Sequence, residues 1–248
     1  MTLALAVFNR ARAVLAADGL ATYGYTVGSQ QLPANKLAVI GDRCAAAQVG
    51  NPAMTVGLIE ALQASALGSA STLTGTAGQW LEVARGAIST WTKGYMQNTI
   101  WMTNLPLEQQ FPAASILLAG VAADRSFAYS INWTGIHLEP DSPHFRADGA
   151  GATTARIYLD AYSYFRIEDH PVLTLESLAA RVMEKVAGNN MEIGGELSLI
   201  AVHRETSPEH PRPVEVLSTK DPKIRSAIDH WEIAEQEIPA TLLGDAAG

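Results

Sequence analysis

The opening of the chain, residues 2 to 17, constrains its fold more than any other stretch. Thr2 to Phe8 is a short apolar run, Asn9-Arg10-Ala11-Arg12 a polar break, and Ala13 to Ala17 a second apolar run. That is the pattern of a β-hairpin. With Arg10 and Ala11 as a two-residue turn, Asn9 faces Arg12 and the pairing runs back until Thr2 lies opposite Gly19, with Asp18 beside it. The turn has no Asn-Gly chemistry, so a register one or two residues away stays open.

Residue 2 gives this proximity a chemical meaning. Thr is small enough that an initiator Met is ordinarily removed in front of it, which leaves a residue carrying both a hydroxyl and a free α-amine. Such an amine has a reference pKa of about 7.7 to 8.0 and can take the hydroxyl proton directly or through water. Lys36, at the head of the apolar strand Leu37-Ala38-Val39-Ile40, is placed to lower that pKa further. Asp18 would hold the ammonium and compensate its desolvation. Taken singly, each residue has a plain reading: Thr is common at position 2, Asp closes turns, and Lys before a strand is usually solvated. Their order and spacing together favour a nucleophile, a tuned base and an orienting carboxylate.

These residues carry a resemblance. Thr2, the run Ala16-Ala17-Asp18-Gly19-Leu20-Ala21-Thr22-Tyr23-Gly24-Tyr25-Thr26-Val27 and then Asn35-Lys36 resemble β-type subunits of the proteasome superfamily, most closely the bacterial ATP-dependent protease subunit HslV. The connection before Lys36 is about two residues longer than is usual there. The resemblance implies an N-terminal nucleophile (Ntn) hydrolase with catalytic Thr2, Asp18 and Lys36 and an oxyanion donor at the N-H of Ala47. It also marks departures. Gly149-Ala150-Gly151 matches a Gly-Ser-Gly turn but lacks the hydroxyl at Ala150. In the stretch from Gly188 to Gly195, Asn190 and Ile193 stand where an Asp and a Ser support the amine. Main-chain carbonyls of Gly188, Met191 and Gly194 match positions that hold a monovalent cation, Na+ or K+, with no other cofactor required. The implied assembly is a homo-oligomeric ring, a hexamer or heptamer stacked in pairs, served by an ATP-dependent unfoldase and acting on peptides bound along strand edges. Two other readings stay open: a catalytically silent ring or scaffold subunit, and an amidohydrolase for small amides.

The chain has 248 residues, 48% of them hydrophobic, and a mean hydropathy of +0.06, enough for one large α/β core and unlike a disordered chain. A net charge of -8 argues against a nucleic-acid partner. Cys44, the single cysteine, reads as a small buried residue in a reducing compartment. The longest clean apolar run, Ile116 to Ala123, is too short to span a membrane, and a cytoplasmic protein is expected. The six histidines, His137, His144, His170, His203, His210 and His230, show no tight ligand spacing.

Strands are expected at Leu37 to Ile40, Cys44 to Ala47, Ser115 to Val121, Phe127 to Asn132, Gly135 to Leu138, Phe145 to Gly149 and Gly195 to Val202. Helices are expected from Pro52, capped by Asn51, to about Leu67, and then at Gln79 to Asn98, Ala152 to Phe165, Thr174 to Ala187 and Pro222 to Gln236. The first helix should bury Val56, Ile59, Leu62 and Leu67; the second carries a stripe of Trp80, Val83, Ala87, Trp91, Tyr95 and Met96. Tyr23 to Ala34 reads as a loop, and Leu105 to Pro112 as a connector. This order suits an α/β (α+β) four-layer αββα sandwich, two antiparallel sheets between helical layers. The division expected is a proteasome-like Ntn-hydrolase domain over residues 1–205 and a C-terminal extension over 206–248, packed outside or on a neighbour.

Overall fold

A computed structural model of the chain describes residues 2–23, 30–69, 75–99, 113–138, 140–162, 174–190, 193–208 and 210–235. The opening hairpin forms in the expected register: β1 (Leu3–Phe8) pairs with β2 (Arg12–Ala17), Ala4 opposite Ala17 and Phe8 opposite Ala13. Asn9 makes the turn without a glycine, its Oδ1 accepting the N-H groups of Ala11 and Arg12 at 2.9 and 3.0 Å.

Next come β3 (Leu20–Tyr23), β4 (Gln30–Pro33), β5 (Leu37–Gly41) and β6 (Cys44–Gly50), then α1 (Pro52–Ala64), α2 (Ala66–Ser69) and α3 (Ala77–Thr99). They are followed by β7 (Ala114–Val121), β8 (Ser126–Asn132), β9 (His137–Leu138), β10 (Phe145–Gly149), α4 (Ala152–Tyr162), α5 (Leu175–Asn189), β11 (Ser198–His203), β12 (Val214–Ser218) and α6 (Pro222–Ala234). One antiparallel sheet has the order β10-β1-β2-β11-β12 and the other β5-β6-β7-β8-β9; β3 and β4 form a separate hairpin.

Between the sheets lies a core dominated by small residues, Ala4, Ala6, Ala13, Ala17, Ala45, Ala47, Ala119 and Ala128, with Leu15, Leu117 and Ile200 as the larger fillers. The alternate residues of each strand face helices instead. Leu3, Leu5, Val14 and Leu199 pack against α4, α5 and α6, and Ile116, Leu118, Phe127 and Tyr129 against α1, α2 and α3. Both faces of β1 and β7 are therefore buried, which is why their sequences are continuously apolar. The four-layer αββα sandwich follows directly.

Several boundaries differ from the sequence reading. The ends of the expected loop from Tyr23 to Ala34 pair as β3 and β4, while the connector from Leu105 to Pro112 lies outside the described residues. Helix α1 stops at Ala64, where Ser65 turns to an extended conformation; Val56 is 46% exposed, and Met54, Thr55 and Leu58 take the inner face with Ile59 and Leu62. On α3 the deeply buried residues are Ala77, Leu81, Ala84, Ile88 and Thr92. The aromatic stripe flanks them, with Trp80, Val83, Ala87 and Trp91 only partly buried. At the start of α5 the Thr174 hydroxyl accepts the Ser177 N-H at 3.2 Å while Ser177 Oγ accepts the Thr174 N-H at 3.0 Å. Ser177 thus closes the capping box without an acidic residue.

The segment after residue 205 contributes to the first sheet and its helical layer. Strand β12 is the edge partner of β11. Helix α6 seats Trp231, fully buried, against α5, where its Nε1 donates to Ser177 Oγ at 3.0 Å. Glu235 accepts two hydrogen bonds from Arg181 at 2.6 and 2.9 Å and pairs with Lys185 at 2.7 Å. A boundary at 205 therefore falls inside the β11–β12 connection; residues 236–248 lie outside the described set.

Candidate functional site

The start of β1, the end of β2 and the start of β5 converge on Asp18. Asp18 N-H donates to the Leu3 carbonyl at 3.2 Å, and the Leu3 N-H donates to Asp18 Oδ1 at 2.8 Å. The same Oδ1 accepts from Lys36 Nζ at 2.8 Å, and Oδ2 accepts from the Leu20 N-H at 3.4 Å. One carboxylate oxygen therefore ties the backbone beside Thr2 to a lysine ammonium. Thr2, Asp18 and Lys36 are 8%, 1% and 6% exposed, so the charges meet where water cannot screen them. Burial lowers the Lys36 pKa from its ordinary 10.5, opposed by the hydrogen bond and charge of Asp18. The sequence reading named these three residues, and the fold brings them together.

Two glycines allow close backbone approaches around the site. Gly149 has φ +90°, and a Cβ there would sit 2.1 Å from the Thr2 carbonyl oxygen, which accepts the Ala150 N-H at 2.7 Å. Gly19 is pressed against the backbone of Glu196, where a Cβ would lie 2.3 Å from its carbonyl oxygen. Ala150 supplies its main chain alone, the hydroxyl of the matched turn being absent.

The oxyanion assignment at Ala47 requires correction. Gln48 N-H donates across β5 to the Lys36 carbonyl at 2.8 Å, and Asn51 N-H donates to Ala113 at 3.0 Å across β7. Since successive N-H groups of a strand alternate sides, Ala47, paired with Leu117, has its N-H committed to the β7 ladder. The groups that point towards β5 belong to Gln48 and Gly50. Gly50, at φ +93°, lies beyond the first residue of β5, Leu37, which pairs with Ala47. Its N-H faces the Lys36 side where no β5 residue stands opposite. A cavity of about 420 Å³ lies on the other side of Gly50, lined by Ser115, Ser130, Trp133, Leu138 and Asp148 at the β7–β9 side of the sheet. A larger one of about 690 Å³ surrounds the hairpin turn, lined by Asn9, Arg10, Arg125 and His144, at the end of the sheet remote from Thr2.

Other expected positions are placed differently. Ile193 is a core residue, 3% exposed, with its Cδ1 2.6 Å from where a Gly151 Cβ would be; it fills space and offers the amine nothing polar. Asn190 caps the end of α5, its N-H donating to the Ala187 carbonyl at 3.4 Å. Of the three carbonyls expected around a cation, Gly188 lies in the last turn of α5. Gly194 accepts the Gly19 N-H at 2.9 Å, and Met191 lies outside the described residues, as does Met1. Cys44 is fully buried and burial pushes its thiol pKa up, so it is an inert core residue. No helix among the described residues is long and apolar enough to cross a membrane.

The fold is of a proteasome-like β-subunit type. The solved structures that share it include Anbu, an ancestral β-subunit, from Yersinia bercovieri, with a TM-score of 0.65 and 14% identity over 95% of this chain and 96% of that one. A Gly-1 mutant of Anbu from Hyphomicrobium sp. strain MC1 matches with a TM-score of 0.62 and 17% identity over 96% of each chain. No family model and no curated protein matches the sequence. These neighbours correct the resemblance drawn from the first thirty-six residues to proteasome β-subunits and HslV: the chain's structural likeness is to Anbu proteins, which are proteasome-like but distinct. At these identities the likeness establishes the fold.

Proposed function

We propose that the chain is a threonine-type N-terminal nucleophile hydrolase subunit that cleaves peptide bonds inside a homo-oligomeric ring in the cytoplasm, once Met1 has been removed. The observation that carries this reading is the bridge at Asp18 Oδ1, which joins the Leu3 N-H and the Lys36 ammonium at 2.8 Å each in a buried setting. A structural role alone would be met as well by apolar residues, because buried ion pairs seldom add net stability.

In this reading the Thr2 hydroxyl attacks the substrate carbonyl and its proton passes to the Thr2 α-amine, whose pKa the adjacent Lys36 charge lowers. The Gly50 N-H receives the developing oxyanion. Collapse expels the leaving amine, which takes the proton, and leaves an ester on Thr2. Water, deprotonated by the same amine, then releases the acid. A proteasome-like fold favours ring assembly, hexameric or heptameric, with the chamber restricting entry to unfolded chains and an ATP-dependent unfoldase supplying them.

Ala150 and the core position of Ile193 favour a second reading, a ring subunit that has lost turnover. A peptide-library assay on wild type, Thr2→Ser and Thr2→Ala decides. Hydrolysis by wild type and the serine variant, abolished in the alanine variant, is the expected result. An inert wild type supports the silent subunit, and hydrolysis that persists in Thr2→Ala defeats the nucleophile assignment.

A further inference from the structure

At the other end of the first sheet, the connection between β11 and β12 gathers His203, His210 and Glu215, whose ligand atoms all lie within 4.8 Å of one another. The ladder accounts for two of them. Glu215 faces Ala201 across the β11–β12 pair, so His203, two residues beyond Ala201, lies on the same face and diagonal to Glu215. The third arrives through a tight turn in which Ser207 and His210 exchange backbone hydrogen bonds of 2.9 and 3.0 Å. Both imidazoles then address one oxygen: Glu215 Oε2 is 3.5 Å from His203 Nε2 and 3.2 Å from His210 Nδ1.

The cluster is incomplete as a set of hydrogen bonds. His203 is 4% exposed, and its Nε2 is buried with no hydrogen-bond partner, although it is aimed at Glu215. A buried polar atom of this kind calls for a partner. Neighbouring ligands of a tetrahedral ion bonded at about 2.0–2.1 Å stand about 3.3 Å apart, close to the two separations found here. The histidine rings stack at 4.2 Å with 19° between their planes, so sharing an ion requires the His210 ring to turn; its side chain is 34% exposed, which leaves it room.

We propose that His203, His210 and Glu215 form a binding site for a divalent transition-metal ion of the Zn²⁺ class. Two imidazole nitrogens and one carboxylate oxygen are a borderline donor set suited to Zn²⁺, Co²⁺ or Ni²⁺ and not to Mg²⁺ or Ca²⁺. His210 and Glu215 also line a cavity of about 650 Å³, from which water or another ligand can take the fourth position. The ion cross-links β11, β12 and the turn between them, pinning the edge of the sheet. The site is separate from Thr2: His203 pairs with Arg12, whereas Ser198 pairs with Ala17 beside Asp18, and the five residue steps between them along the strand span about 17 Å.

The test is calorimetric titration of Zn²⁺ into chelator-stripped full-length protein, with Co²⁺ absorption as a second probe. One saturable site per chain is expected, with the intense visible bands of four-coordinate Co²⁺. Loss of a direct ligand should weaken binding by at least the roughly tenfold that loss of an outer-shell partner costs, so His210→Ala and Glu215→Gln should both bind more than about tenfold worse. Both positions are at the surface side of the cluster, and melting curves of the metal-free variants verify folding. His144→Ala, an exposed histidine elsewhere, should bind like wild type. Absence of a saturable site in wild type, or a site that survives both ligand substitutions, overturns the proposal.

Discussion

Substitution at the Asp18–Lys36 pair separates a functional ion pair from a structural one. The two groups meet at 2.8 Å with side-chain exposures of 0% and 6%. Asp18→Asn preserves shape and an acceptor for the Leu3 N-H but leaves the Lys36 ammonium buried without its counter-charge, a loss of about 3–5 kcal/mol. Lys36→Met strands the carboxylate instead; the N-H groups of Leu3 and Leu20 still serve it, which places the cost near the lower end of that range, about 3 kcal/mol. The double variant contains neither charge and should be more stable than either single, giving a coupling of at least about 3 kcal/mol. Urea denaturation of the four proteins measures this cycle, and peptide hydrolysis measured alongside should stay lost in all three variants. Single-variant costs that add to within about 0.5 kcal/mol would refute the buried pair, and activity that returns with stability in the double variant would refute its role in catalysis.

Three further outcomes follow from the same geometry. Lys36 has a lowered pKa in the folded chain, so between that value and 10.5 the unfolded chain holds more protons and stability rises with pH; wild type should gain stability over Lys36→Met on alkaline titration, as followed by thermal melting. Glu235 is pushed up by burial but brought to a pKa of about 2 by Arg181, Lys185 and Tyr162. Its pairing thus contributes about 2–3 kcal/mol above pH 4.5 that fades as pH falls towards 2, and Glu235→Gln should be less stable than wild type at pH 7 and nearly equal to it at the acid end. Gly149→Ala, which drives a methyl to 2.1 Å from the Thr2 carbonyl at φ +90°, should cost more than about 1 kcal/mol and reduce hydrolysis further than its stability loss explains; unchanged turnover would mean that Thr2 is not held by this contact.

The site was legible where local patterning and covalent order determine it. The apolar runs around Asn9 to Arg12 pointed to the register that forms, with a slip of one or two residues left open by the turn, and that register puts Asp18 beside Leu3. Strands buried on both faces, such as β7, announce themselves through continuous hydrophobicity. What the sequence concealed depends on partners far along the chain. Which way the Ala47 N-H points is decided by the ladders to β5 and β7, so counting residues from a motif chose the wrong donor. Strand β12 carries Glu215 among half-exposed residues and has no apolar period until β11 supplies its edge. The aromatic stripe of α3 drew attention by size, whereas the face that packs inward uses the smaller Leu81, Ala84 and Ile88. His203 and His210 are separated by a proline-bearing turn, and no ligand spacing reveals that Glu215 stands across from both.

The central claim is that Thr2 becomes a free, activated nucleophile, and intact mass spectrometry of the purified chain before and after a threonine-directed epoxyketone or β-lactone tests it most directly. The account predicts a chain lacking Met1 that gains one inhibitor mass, with the adduct mapped to Thr2. A chain that retains Met1, or one that loses it and takes up no inhibitor at Thr2, contradicts the account.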